Sequence, residues 1–402
     1  MVSPTAAKTN ESAGQWVALL HCEDATWQSA AVHFTKMHTL ELHAWHQQLR
    51  ARFQNLNEFE AVADYGDWQA EFTALTASCG VIDLGFRSRI CLLGADRVRF
   101  LHGQVTNDIK HLAEGGGCYA FITSAKGKLQ SDAFIYRLEN EILLDFEPGL
   151  AVEVSRRLET FIVSDDVQVV DVRPHYGLLS IQGPTSAVVI MRIAPELEVP
   201  ANSLQIVQMN SAAFGECYVA NQPRLGSQGF DIFAPAQSLQ VVAQKLLEAV
   251  REQEGRPCGW TAFDAVRIRA GVPRFGVDMD ESNLPQETGL EKQAISYHKG
   301  CYIGQEVINR IHSIGRVNKY LRRFELLTNP PTTPLRGDKF LCDDRDAGFL
   351  TSVVRLPDGS NVALGYLQSA ISSDANKPVS LRAPSGDVPV RVLGAVGWDP
   401  DR

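Results

Sequence analysis

The sequence predicts an α+β protein with a large mixed body and a small all-β domain at its C-terminal end. Three observations lead to this prediction. The 402 residues exceed the roughly 250–300 that one hydrophobic core usually serves. Apolar patterns with the periods of strands and of helices alternate up to about residue 312. Beyond that point, only short strands separated by turn residues follow.

The composition excludes several classes of protein. Hydrophobic residues make up 45% and charged residues 21% of the chain, which is typical of a globular protein and not of a disordered one. No run approaches the roughly 18 apolar residues of a membrane span, so we expect no membrane association. Asp and Glu outnumber Lys and Arg by 47 to 38, and the resulting charge of −9 argues against stable nucleic-acid binding.

Residues 1–36 show no sustained apolar period, and we expect a poorly ordered or mis-assigned extension, with Met37 as the true start. A helical spacing follows from there, carried by Leu40, Ala44, Leu49 and Phe53. His43 and His46 would share one face of this helix. They are either solvated, which we favour, or the start of a metal site.

The eight cysteines are scattered, and none has the CxxC or close Cys–His spacing of a zinc or iron–sulfur site, so no metal site is expected. Scattered cysteines are typical of reduced thiols. The first 36 residues contain no arginine but three acids, unlike a mitochondrial transit peptide. We therefore expect a cytoplasmic, bacterial-type location and regard the mitochondrial matrix as less favoured.

The body, residues 37–312, is predicted to hold two interleaved α+β subdomains. Strands are expected at 80–84, 89–93, 119–123, 131–136, 141–146 and 176–182, and helices at 95–102, 151–161 and 239–250. The strands at 119–123 and 131–136 flank the turn 125–128 and so predict a hairpin. Residues 313–402 contain short strands with Pro-Pro and Asp-Gly turns, which predict a small barrel or sandwich.

The clearest chemical signal is the segment Lys299-Gly-Cys-Tyr-Ile-Gly-Gln-Glu306. Gly300 and Gly304 allow a tight turn and the close approach of a ligand. Cys301 precedes a predicted helix over 306–311, and a helix N-terminus together with Lys299 would lower the pKa of its thiol. The segment holds either a reactive or ligand-contacting thiol, or a small residue in a turn with solvated flanks.

This octapeptide resembles the hallmark of the YgfZ family of folate-binding proteins, Lys-Gly-Cys-aromatic-x-Gly-Gln-Glu, at every fixed position. The segments Phe100-Leu-His-Gly-Gln-Val-Thr-Asn-Asp-Ile109 and Arg269-Ala-Gly-Val-Pro-Arg-Phe-Gly-Val-Asp278 fit it as well, and the resemblance covers roughly residues 75–400. It implies a fold similar to that of the glycine-cleavage T-protein, an aminomethyltransferase. That fold is a three-domain ring with tetrahydrofolate at its centre and, here, a C-terminal β-barrel.

The resemblance also implies site residues. Asp132 matches the T-protein aspartate beside the reactive folate nitrogen, and Asp231 matches the acid that holds the pterin ring. Tyr119 matches a pocket tyrosine, and Arg267 an arginine near the glutamate tail of folate. Arg224 replaces a T-protein tyrosine, which weakens the case for the T-protein reaction. The octapeptide adds the ligand contacts Lys299, Gly300, Cys301, Gly304, Gln305 and Glu306.

The implied function is binding of tetrahydrofolate or a one-carbon derivative, with assistance to iron–sulfur cluster assembly or repair through Cys301. The partners would be folate and cluster assembly or client proteins, and effects on tRNA modification would be indirect. Two alternatives stay open. One is a folate-dependent aminomethyl- or methyltransferase that uses Asp132 as its catalytic residue. The other is a non-catalytic folate sensor or scaffold. Whether the chain is an enzyme is not decided by the sequence.

Four arginines at alternating positions form a further pattern: Arg87, Arg89, Arg97 and Arg99. They are either a basic stripe for nucleic acid or, as we favour, a solvated face of a sheet and a helix.

Overall fold

The computed structural model describes residues 37–330, 332–373, 377–382 and 386–397. The expectation of a poorly ordered or mis-assigned segment at 1–36 lies outside these residues. In chain order the strands are β1 Arg52–Leu56, β2 Phe59–Asp64, β3 Gly80–Asp83, β4 Ser88–Leu93, β5 Gly117–Thr123, β6 Leu129–Arg137, β7 Ile142–Phe146, β8 Gln168–Asp171, β9 Tyr176–Gln182, β10 Ile206–Ser211, β11 Gly215–Asn221, β12 Gly229–Pro235, β13 Arg256–Pro257, β14 Lys319–Leu326, β15 Lys339–Cys342, β16 Arg345–Arg355, β17 Asn361–Gln368, β18 Val379–Leu381 and β19 Val388–Ala395.

The helices, again in chain order, are α1 His43–Gln48, α2 Trp68–Ala77, α3 Arg97–Gln104, α4 Ala151–Glu159, α5 Ser186–Ile193, α6 Leu239–Glu252, α7 Trp260–Ala270, α8 Glu291–Ala294, α9 Gln305–Ile314 and α10 Ser369–Ser372. Among the residues described, no helix has both the length and the apolar content that crossing a membrane requires.

Six strands form the first sheet, in the order β10-β11-β12-β9-β3-β13. All its pairs are antiparallel except β3 with β13. Helix α6 has apolar residues three and four positions apart, so one side of it is apolar. That side places Val242, Leu246 and Val250 in the core of the sheet.

Five antiparallel strands form the second sheet, in the order β5-β6-β7-β4-β8. Helices α3 and α4 cover it with Leu101 and Leu158, both fully buried. The chain passes from the first sheet to the second between β3 and β4, returns to the first sheet at β9, and thus contributes to both sheets in alternation.

The C-terminal strands close into a six-stranded barrel in the order β14-β17-β16-β15-β18-β19. Closure leaves no free strand edge, which stabilises a sheet of short strands. Phe324 and Phe340 stack in its core with ring centroids 4.3 Å apart. The predicted α+β class and the small C-terminal barrel are confirmed. The division of residues 37–312 into two subdomains stays a prediction.

Two expectations near the start of the described chain are wrong. The helical spacing from Leu40 to Phe53 yields only the six-residue helix α1, because Arg50 adopts the left-handed conformation at φ 61° and Phe53 lies in β1. His46 is not solvated: it is 1% exposed, and its Nε2 lies 2.8 Å from Asp83. His43 pairs separately with Glu60, and the described residues contain no group of three potential metal ligands.

Candidate functional site

The hairpin of β5 and β6 places Tyr119 beside Asp132. Tyr119 is paired with Phe134 across the strands, and Phe121 is paired with Asp132. Tyr119 and Asp132 are therefore diagonal neighbours on one face of the hairpin. The Tyr119 hydroxyl donates a 2.7 Å hydrogen bond to Oδ2 of Asp132. Both side chains are buried, so this bond fixes the orientation of the carboxyl group.

The Asp132 carboxyl is poised to exchange a proton near neutral pH. Burial, followed by the charge of Glu147, raises its pKa to about 6, against the opposing effects of the Tyr119 hydroxyl and Arg87. A carboxyl group with this pKa can both accept and return a proton under physiological conditions.

Tyr119 and Asp132 lie on the wall of a cavity with a volume of about 50 Å³. The rest of its wall consists of aromatic residues (Phe134, Trp260, Phe263), charged residues (Arg87, Glu147, Arg224, Arg267, Arg274) and the residues Gln222, Pro223, Val272 and Pro273. Oε1 of Gln222 is buried and has no hydrogen-bond partner among the described residues. The wall thus combines flat apolar surfaces with an unused acceptor, the Asp132 carboxyl and several guanidinium groups.

A chain of buried ion pairs runs along this cavity and joins the two sheets. Its members are Asp231–Arg224 at 2.5 Å, Arg224–Asp145 at 2.6 Å, Asp145–Arg87 at 2.9 Å, Arg87–Glu147 at 3.0 Å and Glu147–Arg274 at 2.7 Å. Burial alone would raise the pKa of Glu147, but the guanidinium groups of Arg274 and Arg87 lower it to about 2. The carboxylate therefore stays ionised at neutral pH.

Asp231 lies behind Arg224 and does not line the cavity. Both of its oxygens accept hydrogen bonds from Arg224, and one also accepts from Ser180 at 2.7 Å. The planar guanidinium of Arg224 is also 5.3 Å from the centroid of the Phe134 ring. In this conformation Arg224 occupies the hydrogen-bonding edge of the acid that was expected to hold a pterin.

Arg267 lines the cavity, but the protein itself occupies its donors. It donates to Asp264 at 2.7 Å, to Asp278 at 2.5 Å and to Ser352 of the barrel at 3.1 Å. The guanidinium therefore fastens α7 to β16. Its expected contact with a folate glutamate tail stays a prediction.

The octapeptide packs against the end of the hairpin. Thr123, at the end of β5, donates a 2.6 Å hydrogen bond to the carbonyl of Ile303. Gly304 has φ 87°, and a Cβ there would lie only 2.6 Å from the Ser124 carbonyl oxygen, so this position requires glycine. Cys301 is exposed and precedes α9 by four residues.

Lys299 is a buried structural residue. Its ammonium donates to the carbonyls of His102, Val105 and Asn107 at 2.5, 2.6 and 2.9 Å, which uses all three N–H groups. Burial lowers its pKa to about 8. The interpretation of Lys299 as a solvated flank is therefore wrong, because it is 7% exposed.

The structure distributes the expected site residues over separate places. Tyr119, Asp132 and Arg267 share the Asp132 cavity, and Asp231 touches it only through Arg224. Gly304, Gln305 and Glu306 line a separate open hollow with Arg157 and Phe161. The side chain of Gln305 donates to the Gly300 carbonyl at 3.4 Å. Lys299, Gly300 and Cys301 line neither of these two spaces.

Several cavity residues were not anticipated from the sequence as site residues: Arg87, Glu147, Gln222, Arg224, Trp260 and Arg274. For Glu147 the sequence did contain an indication. Asp145 and Glu147 are two residues apart at the end of a strand, so they point to the same side. Two acids on one side of a buried strand require cationic partners. The identity of those partners depends on the tertiary fold.

Comparison with known proteins decides the family. The profile of the GCVT N-terminal domain matches residues 42–299. The chain belongs to the GCVT family. Among curated proteins, this GCVT-family chain is similar to the aminomethyltransferases of Caldanaerobacter subterraneus (24% identical, covering 77% of this chain and 82% of that one) and Corynebacterium jeikeium (26% identical, covering 85% and 92%).

Among solved structures, the GCVT-family chain resembles the glycine cleavage system aminomethyltransferase T from Bartonella henselae, with a TM-score of 0.79. The two are 20% identical over 90% of this chain and 98% of that one. This likeness confirms the predicted T-protein-like fold.

Proposed function

We propose that this GCVT-family chain binds tetrahydrofolate or a one-carbon derivative in the Asp132 cavity and assists iron–sulfur cluster assembly or repair through Cys301. One observation carries the proposal: the hairpin that positions Asp132 also supports the Cys301 segment, through the hydrogen bond from Thr123 to Ile303. A ligand that orders this hairpin would thereby order the backbone next to the thiol. The resemblance of the octapeptide to the YgfZ family supports the same proposal.

The chemistry of the cavity wall suits a folate. Flat aromatic side chains such as Phe134 and Trp260 would face the ring system. Oε1 of Gln222 and the Asp132 carboxyl would accept hydrogen bonds from the N–H groups of the ligand. A volume of about 50 Å³ holds only a few water molecules. A ring can therefore enter only when side chains in the wall, such as Arg224, move.

Asp132 and Cys301 have different tasks in this proposal. Asp132, oriented by Tyr119, would hold or accept a proton at a nitrogen of the folate. Cys301 would present its sulfur to iron or to a partner, because its side chain is exposed. No other cysteine is close to it in sequence, so cluster handling would be transient and shared with an assembly or client protein. Effects on tRNA modification would follow from the client enzymes, and we place the protein in the cytoplasm.

A second candidate function is folate-dependent aminomethyl transfer with Asp132 as the catalytic residue. The observation that favours it is the buried Asp132 carboxyl with its pKa raised to about 6. The relatives named aminomethyltransferases agree with it. Arg224 counts against it, because this residue stands where the T-protein has a tyrosine.

Two assays separate the functions. In cells that lack the gene, we expect Cys301→Ala to fail to restore the activity of a cluster-dependent enzyme, whereas Cys342→Ala, which alters a buried barrel cysteine, restores it. Equal restoration by both variants would contradict the role of Cys301 and would favour the interpretation of the protein as a folate-binding scaffold. Folate-dependent aminomethyl transfer by the purified protein, abolished in Asp132→Asn, would instead establish the second candidate.

A further inference from the structure

A second cavity, with a volume of about 230 Å³, shares no residue with the Asp132 cavity. Its wall contains two arginines, Arg89 and Arg173, together with aromatic and apolar side chains that include Phe59, Phe86 and Leu239. Arg89 belongs to the alternating arginine pattern of the sequence. The expectation that this arginine lies on a solvated face is wrong, because it is 1% exposed.

Arg89 is a buried cation without a carboxylate partner. Within the described residues no carboxylate oxygen lies within 4.0 Å of its guanidinium. Its donors reach only carbonyls: Tyr176 at 2.9 Å, and Leu84 and Gly85 at 3.5 Å each. Its Nε has no acceptor in the part of the chain that the structure describes. A charge buried in this way is unfavourable unless an anion compensates it.

The acids around Arg89 are bonded to other groups. Asp83, which also lines the cavity, pairs with His46 and accepts from the Gly85 amide. Asp145 is held by Arg87 and Arg224 in the ion-pair chain. These carboxylates attract Arg89 from a distance but do not satisfy its donors.

Arg173 adds a second cation with unused donors. Its guanidinium is 4.6 Å from the centroid of the Phe59 ring, and that ring stacks on His38 at 4.7 Å. Its one carboxylate contact among the described residues, with Asp171, is long at 3.7 Å. Its Nη1 is buried and finds no acceptor in the described ranges. The side chain is 24% exposed, so Arg173 lies where the cavity meets solvent.

We infer that this cavity binds a small organic monocarboxylate. The carboxylate of the ligand bonds to the guanidinium groups of Arg89 and Arg173, which supply the missing anionic partner. The apolar body of the ligand packs against Phe59 and Phe86. A doubly charged anion such as phosphate is disfavoured, because Glu41, Glu60 and Asp83 also line the wall.

Benzoate tests this inference, titrated by calorimetry into the full chain. We expect saturable binding that is about tenfold or more weaker in Arg173→Gln, since removal of one partner of a buried charge pair has an effect of this size. Arg192→Gln, at an exposed pair with Glu252, is the matched control and should bind like the wild type. Arg89→Gln should bind weakest, once circular dichroism shows that it folds. If Arg89→Gln does not fold, the benzoate affinity of Arg173→Gln alone tests the inference.

Three outcomes would overturn the inference. They are no saturable binding of benzoate by the wild type, equal affinity in Arg173→Gln, and displacement of benzoate by equimolar inorganic phosphate. Asp132→Leu, in the other cavity, should leave benzoate affinity unchanged. The inference therefore stands or fails independently of the proposed folate function.

Discussion

Nη2 of Arg224, in the loop between β11 and β12, lies 2.6 Å from Oδ2 of Asp145 in the second sheet. Both side chains are almost completely buried, with 4% and 0% exposed. Each also has another partner, Asp231 for Arg224 and Arg87 for Asp145. Removal of Arg224 would leave Asp231 buried without its cation and Asp145 with Arg87 alone. The two sheets therefore depend on Arg224 for their junction.

The first prediction concerns this junction. Arg224→Gln should lower the free energy of unfolding by about 3–5 kcal/mol, because it leaves the buried Asp231 carboxylate without its cation and Asp145 with Arg87 alone. Arg192→Gln, which removes an exposed ion pair, should change it by about 1 kcal/mol or less. Urea denaturation at neutral pH measures both. Similar losses in the two variants would show that the buried ion pair contributes no more to the free energy of unfolding than an exposed one.

The second prediction concerns the protonation of Asp132. Its pKa rises from 3.8 in the unfolded chain to about 6 in the folded protein, so the folded state favours the protonated carboxyl. Ionisation therefore costs stability, which is lost as the pH rises from about 4 to about 6 and stays lost above that range. At about pH 8, Asp132→Asn should stabilise the protein by up to about 3 kcal/mol, whereas at about pH 4 the gain should vanish. Urea denaturation of both proteins at the two pH values tests this, and a gain that does not change with pH would contradict it.

The third prediction concerns Lys299. Lys299→Met should destabilise the protein by about 1–3 kcal/mol or more, because three carbonyls near the end of α3 lose their donor. Lys292→Met, at an exposed lysine seven residues earlier, is the matched control and should have little effect. Thermal and urea unfolding give the comparison. A Lys299→Met protein as stable as the control would mean that the three hydrogen bonds contribute nothing.

The fourth prediction concerns thiol reactivity. Cys301 is exposed, whereas Cys217 and Cys342 are buried. Burial also raises the pKa of the Cys217 thiol to about 12 and so suppresses its thiolate. Brief treatment of the folded protein with iodoacetamide should therefore label Cys301 about tenfold faster than either of the others. Peptide mass spectrometry resolves the three sites, and comparable rates at all of them would argue against an accessible Cys301.

The sequence was most informative where the pattern is local. The strands around residues 119–136 carry their own alternation and turn, so the hairpin and the proximity of Tyr119 to Asp132 could be predicted. The barrel followed from strand spacing in the same way. By contrast, α1 ends early because of the backbone conformation at Arg50, which its apolar spacing does not reveal.

The charged partners could not be predicted in this way. Arg224 is 79 residues from Asp145, and their contact exists only because two sheets meet there. As charged residues, Arg87 and Lys299 are expected from the sequence to be exposed to solvent. Both are instead buried among partners distant in the chain. The charge of a residue is visible in the sequence, whereas its burial is a property of the assembled fold.

The binding of folate at Asp132 is tested most directly by calorimetric titration of the full chain with tetrahydrofolate. We expect one molecule to bind per chain. In Asp132→Leu the affinity should fall about tenfold or more, because N–H groups of the ligand would lose an acceptor inside a buried site. Arg173→Gln, in the other cavity, should bind like the wild type. The absence of binding to the wild type, or an unchanged affinity in Asp132→Leu, would contradict the proposal that this cavity is the folate site.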